Sequence, residues 1–150
     1  MGFSTSAATV ILFIGLFVAI GIAFPAFETA YDRQTEAFDD REDRALDVRN
    51  TAIEANASYN ETADELTVNA TNVGSTTISV EDMDLLVDGA YVVESNYTTV
   101  VGSDGTERSL VQPGERVQLT VSNVTEPPDR VKVVTGLGVA ETITEVPVYA

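Results

Sequence analysis

Residues able to do chemistry are few in this chain, and they are scattered. It contains no Cys and no His, which removes thiol nucleophiles, thiolate and imidazole metal ligands, the usual general base near neutral pH and every Ser-His triad. Carboxylates and amides remain. Asp82 and Asp84 would share one face of a strand and could form a pair for acid–base work or Ca²⁺ binding, but spacing brings no third group to them. Asp39, Asp40, Glu42 and Asp43 are denser, yet side chains spread around a helix do not converge on one ion, so a solvated face is expected. Ser103-Asp104-Gly105-Thr106-Glu107 lacks the spacing of a Ca²⁺ loop and reads as a hairpin tip. The expectation is a protein that is not an enzyme, with no catalytic residue, no metal and no cofactor.

The amides are more suggestive. Asn56, Asn60, Asn69, Asn96 and Asn123 each begin an Asn-x-Ser/Thr acceptor pattern, and acceptors of this kind belong to chains exposed outside the cell. Asn and Thr are abundant, so chance matches are expected among them, and Asn69 falls within a predicted strand. Charge narrows the partners further. Acidic residues outnumber basic ones by 24 to 8, for a formal net charge of −16; such a surface repels phosphate, so no nucleic acid is expected as partner.

These residues must be positioned by three kinds of element. Residues 1–27 carry no charged side chain, and Ala8 to Phe24 reads ATVILFIGLFVAIGIAF. With its uncharged flanks this is the length of helix needed to cross a hydrocarbon core of roughly 30 Å. A secretory signal would show a basic n-region, and none is present ahead of the run; a retained membrane anchor is expected, with Ser4, Thr5 or Ser6 capping its first turn. Gly15, Ala19 and Ala23 recur at four-residue spacing and offer a face on which a second helix could pack closely, although Gly and Ala are common in membrane helices generally.

From Glu28 to Glu54 the composition reverses, with nine acidic residues, four Arg and neither Gly nor Pro. Tyr31, Phe38, Ala45 and Ala52 recur every seven positions, with Leu46 and Ile53 beside the last two, a sparse heptad-like seam. Residues 28–56 therefore read as an acidic juxtamembrane helical stalk. Asn56 to Ala63 reads as a boundary. Beyond it, residues 57–150 form short alternating runs separated by turn signals: Leu66 to Ala70 turning through Asn72 to Ser75 into Ile78 and Val80, a hairpin at Asp88-Gly89 between Leu85–Val87 and Tyr91–Val93, a type II turn at Gln112 to Glu115, then Val117 to Val121, Val131 to Val134 and Ile143 to Val148. The fold class that follows is mainly β: a single transmembrane helix continuing into a helical stalk, then an immunoglobulin-like antiparallel β-sandwich.

The opening Met1-Gly2-Phe3-Ser4-Thr5-Ser6 ahead of the apolar run, Arg49-Asn50-Thr51, and Leu66 through Thr77, together with Asp84-Leu85-Leu86-Val87-Asp88-Gly89, Gln112-Pro113-Gly114-Glu115 and Arg130-Val131-Lys132-Val133-Val134, resemble FlaF, the flagellar (archaellum) accessory family of halophilic archaea. Its sister family FlaG is the nearest alternative. The acidic, Lys-poor composition also resembles that of proteins from salt-loving archaea, where molar salt shortens the Debye length to about 3 Å and screens self-repulsion. The resemblance implies a static, stator-type part of the archaeal flagellum motor, a single-pass cell-membrane protein whose β domain lies outside. It implies binding to the surface-layer protein, contact with other archaellum components such as FlaG, and a homodimer; it assigns no individual contact residue. Two alternatives stand beside it. A type IV pilin-like filament subunit would carry a basic leader, and only Met1 precedes Gly2. An anchored extracellular binding domain would need aromatic residues clustered for a pocket, and no such cluster is evident in the sequence.

Orientation is contested within the sequence. Arg33, Arg41, Arg44 and Arg49 lie only on the C-terminal flank of the anchor, which by the positive-inside rule would place the β domain in the cytoplasm. The acceptor asparagines and the order of anchor, stalk and sandwich argue for the outside, and that placement is the expectation.

Overall fold

One helix, α1, runs from Phe3 to Asn50 in the computed structural model, which describes residues 3–102 and 108–150. The chain divides into two units, Met1–Arg44 and Ala45–Ala150. In the first unit the large apolar side chains Ile11, Leu12, Phe17 and Ile22 are all at least 70% exposed. An 18-residue window reaches a mean hydropathy of 2.7 with none of it buried, so the helix is long and apolar enough to cross a membrane. Pro25 lies inside the helix, so the chain does not break at Pro25-Ala26, and the Thr29 hydroxyl donates to the Pro25 carbonyl at 2.8 Å. Because Phe3 is already helical, Ser4, Thr5 and Ser6 lie within the helix and not at its cap, which corrects the expected start.

The second unit begins with the last turns of α1 and continues as strands β1 (Ile53–Asn60), β2 (Glu65–Asn72), β3 (Ile78–Ser79), β4 (Asp84–Val87), β5 (Ala90–Val92), β6 (Tyr97–Val101), β7 (Leu110–Val111), β8 (Arg116–Ser122), β9 (Val131–Val134), β10 (Ala140–Ile143) and β11 (Val148–Tyr149). Five strands form one sheet in the order β11-β1-β2-β8-β6, four form another in the order β10-β9-β4-β5, and β3 pairs with β7. The inward residues of both sheets make one core, with Leu66, Val68, Leu85, Val101, Val117, Leu119, Val131 and Val133 each at most 1% exposed. Small β-branched side chains suit this pleated interior. The architecture is thus an apolar N-terminal helix followed by a sandwich of open sheets.

Four local expectations are corrected. The stalk was expected to run as helix to residue 56, but α1 ends at Asn50, and Ala52 and Ile53 leave the heptad seam to enter the sandwich, Ile53 being buried. Residues 56–63 do not form a linker, because β1 runs through Asn60 and pairs with β2 from Ile53 opposite Asn72 to Asn60 opposite Glu65. Its inward positions include Ala57 and the half-buried Ala55, and such small side chains hide the apolar alternation behind Asn and Ser. β2 and β3 do not pair with each other; β2 lies between β1 and β8. The sandwich is antiparallel except where β11 runs parallel to β1.

Other turns form as expected. Asp88 and Gly89 both have positive φ, 50° and 85°, the two-residue geometry whose twist matches a hairpin, and they join β4 to β5. The Asp88 carboxylate also accepts the Arg130 N–H at 2.8 Å, tying this hairpin to the start of β9. Glu115 N–H donates to the Gln112 carbonyl at 2.9 Å, closing the turn before β8. The hairpin tip expected at Ser103 to Glu107 lies outside the described residues.

Candidate functional site

Force carried by a helix into a sheet domain must pass through the place where the two join. The joint here lies wholly within the second unit, where the last turn of α1 meets the loop after β2. The helix ends because its carbonyls find partners elsewhere. Thr51 turns its hydroxyl back to the Asp47 carbonyl at 2.8 Å, while Ser75 and Thr76 N–H donate to the Asn50 carbonyl at 2.8 and 3.3 Å. Val73 and Gly74 N–H donate to the Ala52 carbonyl, each at 3.0 Å. Of the orphan acceptors that a helix C-terminus presents, the Asn50 carbonyl is thus taken up by backbone donors of the sheet domain, which also hold the Ala52 carbonyl two residues beyond the helix.

Two residues make this grip possible. Gly74 packs directly on the backbone of residues 50–52: a Cβ there would lie 2.6 Å from the Ala52 nitrogen and closer still to the Asn50 oxygen. Asn72 is 1% exposed and organises the loop from inside. Its amide donates to the carbonyls of Thr76 at 2.8 Å and Val111 at 3.1 Å, and its Oδ1 accepts the Gly74 N–H at 3.1 Å. The backbone of Asn72 exchanges further bonds with Glu115 and Gly114. From sequence, Asn72-Val73-Gly74-Ser75 carried the signal of a hairpin turn; nothing in it distinguished a turn from a clasp on a helix 20 residues earlier.

The opposite end of the five-stranded sheet is held by a tyrosine. Tyr59 is 1% exposed, and its hydroxyl donates to the Val124 carbonyl at 2.6 Å and approaches Asp64 Oδ1 at 3.4 Å. Burial pushes this phenol above its ordinary value of 10.0, and the Asp64 carboxylate pushes it the same way.

The five acceptor asparagines separate into distinct settings. Asn56 and Asn69 are cross-strand partners on the outer face of the five-stranded sheet, with the Asn69 amide donating to Asn56 Oδ1 at 3.4 Å. Asn60 shapes the β1–β2 turn, its Oδ1 accepting the N–H groups of Thr62 and Ala63 at 2.9 Å each. Asn96 closes a single 3₁₀ turn, Glu94–Asn96, between β5 and β6. Asn123 follows β8 with φ 62°. Asn60, Asn96 and Asn123 all lie toward the end of the sheet away from the joint, since Asn60 pairs with Glu65, Glu65 with Ser122, and Tyr97 with Val121. On α1, Gly15 has no atom within 4 Å of an added Cβ, and Ala19 is exposed with Ala23 half-buried; the described chain places nothing against this stripe.

The carboxylates do not assemble. Asp82 sits in the turn before β4 and only Asp84 is in the strand, so the pair does not share a strand face. Among the described residues no group of three or more Asp or Glu is arranged to hold a metal ion. One cavity, about 840 Å³, is lined by residues that include Asn69, Arg108, Glu115, Arg116 and Gln118, among them the Arg108–Glu115 ion pair at 3.0 Å. A second groove, about 580 Å³, brings Tyr91 and Tyr97 into one wall system with Asn96 and Asn123. This is the aromatic pair that sequence reasoning missed; the only signal was two tyrosines flanking a Ser-Asn turn.

No protein-family model matches the chain, and no curated protein matches it. Among solved structures, the archaellum periplasmic stator protein FlaG from Sulfolobus acidocaldarius is 19% identical, with 62% of this chain and 97% of that chain covered and a TM-score of 0.42. The archaellum periplasmic stator complex of FlaF and FlaG from the same organism gives 18% identity, coverage of 60% and 82%, and a TM-score of 0.39. A biomass-sensing module from putative RsgI-like proteins of Clostridium thermocellum, described as resembling a family 3 carbohydrate-binding module, gives 14% identity, coverage of 57% and 93%, and a TM-score of 0.33. At TM-scores of 0.33 to 0.42 these overlaps assign no role.

Proposed function

We propose that this chain is a static, membrane-anchored structural component of an archaeal flagellum motor, of FlaF or FlaG type. Its β domain lies outside the membrane, is immunoglobulin-like, and is held to the surface-layer protein by protein–protein contacts. A rotating filament needs a part that does not turn, and such a part must carry force from one attachment to another. The observation that most supports this reading is the clasp on the end of α1: four backbone hydrogen bonds from residues 73–76 to the carbonyls of Asn50 and Ala52, with Gly74 seated on the helix end. A tether whose helix merely led into a flexible linker would yield at the linker; here the helix end is part of the sheet domain. The sequence resemblance supplies the identity of the machine, and the apolar helix supplies the attachment to a membrane.

Archaellum partners such as FlaG, a homodimer through the Gly15, Ala19 and Ala23 face, an origin in a halophile and a single-pass topology belong to the same proposal. Its test is a clean deletion of the gene. Cells lacking it should assemble filaments yet swim poorly or not at all, and swimming at the parental rate would sink the reading.

A further inference from the structure

The groove between β5 and β6 has a chemistry unlike the rest of the molecule. These are the edge strands of the two sheets on one side of the sandwich, joined by the 3₁₀ turn, and the groove opens between them at the end away from the helix joint. None of its lining residues is charged, in a chain with 24 acidic and 8 basic side chains. Hydroxyls and amides from Ser95, Thr98, Asn96 and Asn123 line it beside Tyr91 and Tyr97. Tyr91 is 58% exposed, so its ring face is open to a ligand. A neutral lining of tyrosines, hydroxyls and amides matches a saccharide, whose apolar ring face stacks on aromatic rings while its hydroxyls both donate and accept.

Two of the five acceptor asparagines, 27 positions apart in the chain, converge on this one groove. Both side chains are exposed. The other three are engaged elsewhere, Asn60 in its turn and Asn56 with Asn69 on the sheet face. The left-handed backbone of Asn123 is one that asparagine tolerates, and Asn96 lies beside it because Tyr97 pairs with Val121 across β6 and β8.

We propose that the groove between β5 and β6 seats a neutral saccharide linked to the chain's own Asn96, Asn123 or both, with the exposed ring of Tyr91 as its stacking platform, while Tyr97 packs inward against the core with its hydroxyl donating to the Met83 carbonyl at 3.4 Å. The inference rests on the exterior placement of the β domain proposed above. Attachment is a glycosyl transfer from a lipid-linked saccharyl phosphate, catalysed by a membrane transferase of the cell. The bond from Asn Nδ2 to the anomeric carbon forms as the bond from that carbon to the phosphate oxygen breaks; the lipid phosphate leaves with the electron pair, and Nδ2 gives up one proton. The linked sugar then folds back on Tyr91, covering the β5–β6 side of the sandwich.

The test uses full-length protein purified from its native membranes. Glycopeptide mass spectrometry should find a saccharide on Asn96 or Asn123, and both bare would overturn the proposal. Nitration of Tyr91 by tetranitromethane should then be slower in this protein than in the N96Q/N123Q double variant. Stacking worth about 0.5–1.5 kcal/mol corresponds to about 2- to 12-fold protection. Tyr149, outside the groove, should react equally in both. A modified Asn with Tyr91 nitrated at the same rate in both proteins would also overturn it. Protease treatment of intact cells separates the two readings: an accessible β domain with both asparagines bare defeats the groove alone, whereas a protected domain defeats the exterior placement and the groove with it.

Discussion

Replacing Gly74 by Ala is the sharpest perturbation of the joint, because it adds one carbon where the backbone of another segment already lies. The added Cβ would sit 2.6 Å from the Ala52 nitrogen and 3.1 Å from the Thr51 carbonyl carbon, both atoms of main chain that cannot swing aside as a side chain would. Either the loop lifts or residues 50–52 shift. Lifting the loop loosens four hydrogen bonds to the carbonyls of Asn50 and Ala52, each contributing a net of about 0.5–1.5 kcal/mol. A shift that keeps them carries the strain of overpacking, about 1–3 kcal/mol. The cheaper route sets the expected loss at about 2 kcal/mol, a fall in Tm of roughly 8–16 °C for a domain near 100 residues. Thermal unfolding followed by circular dichroism reads the total, and hydrogen exchange locates it. The Ser75 and Gly74 amides should lose protection first, while Leu66 and Leu119 in the central strands keep theirs. A variant that melts within about 2 °C of the parent with the Ser75 amide still protected would refute the clasp.

Three further outcomes follow from the same geometry. Asn72→Ala should destabilise the second unit by about 2–4 kcal/mol by urea unfolding, since it removes the amide donor to the Thr76 and Val111 carbonyls and one of the two acceptors of the Gly74 N–H, which keeps the Ala52 carbonyl; an unchanged midpoint would contradict the role given to it. Stability should fall in alkali: the folded state holds Tyr59 and Tyr97 protonated above their ordinary value of 10.0, chiefly through burial, so their contribution is full below pH 10 and is lost as pH rises through the higher folded values. Tyr59→Phe should flatten that decline in a Tm-against-pH series, and a slope identical to the parent's would count against it. Gly15→Leu adds a side chain into open space, so the helix should still insert in the membrane while cross-linked dimers, if the small-residue face is used, disappear.

Much of this architecture was legible because it is local. The apolar run needs only composition, the Asp88-Gly89 hairpin needs only two residues with positive φ between apolar pairs, and β8 announces itself through Val117, Leu119 and Val121. What escaped was non-local or written in small residues. β1 has Ala at inward positions, so Asn56, Ser58 and Asn60 made it look like a linker. Ala52 and Ile53 kept a seven-residue rhythm with the helix, yet the helix stops at Asn50, whose carbonyl takes loop amides more than 20 residues later while the Ala52 carbonyl takes two more. The parallel pairing of β11 with β1 depends on where the chain returns, which alternation cannot encode. The groove depends on two sheet edges facing each other, so tyrosines at 91 and 97 could not be recognised as neighbours of Asn123. The strand face that Asp82 and Asp84 could have shared is absent for the opposite reason: their spacing suits a strand, and the strand starts only at Asp84.

The strong negative charge bears on how all of this should be measured. A net charge of −16 on 150 residues repels itself in dilute buffer and is screened in molar salt, where the Debye length falls to about 3 Å. Tm should rise with KCl concentration, and a flat series would remove the argument from charge. Partner binding therefore has to be assayed at high salt, and with the whole chain. A soluble piece starting at residue 57 would lose the first half of β1 and the joint.

The most direct test of the central claim is co-sedimentation of the full-length protein, in detergent, with isolated surface layer at molar KCl. The account predicts that it pellets with the layer, and that Gly74→Ala, which leaves the outer faces of the sheets intact, pellets equally at temperatures below its own melting transition. Full-length protein that remains in the supernatant while its β domain is folded would contradict a stator held to the surface layer.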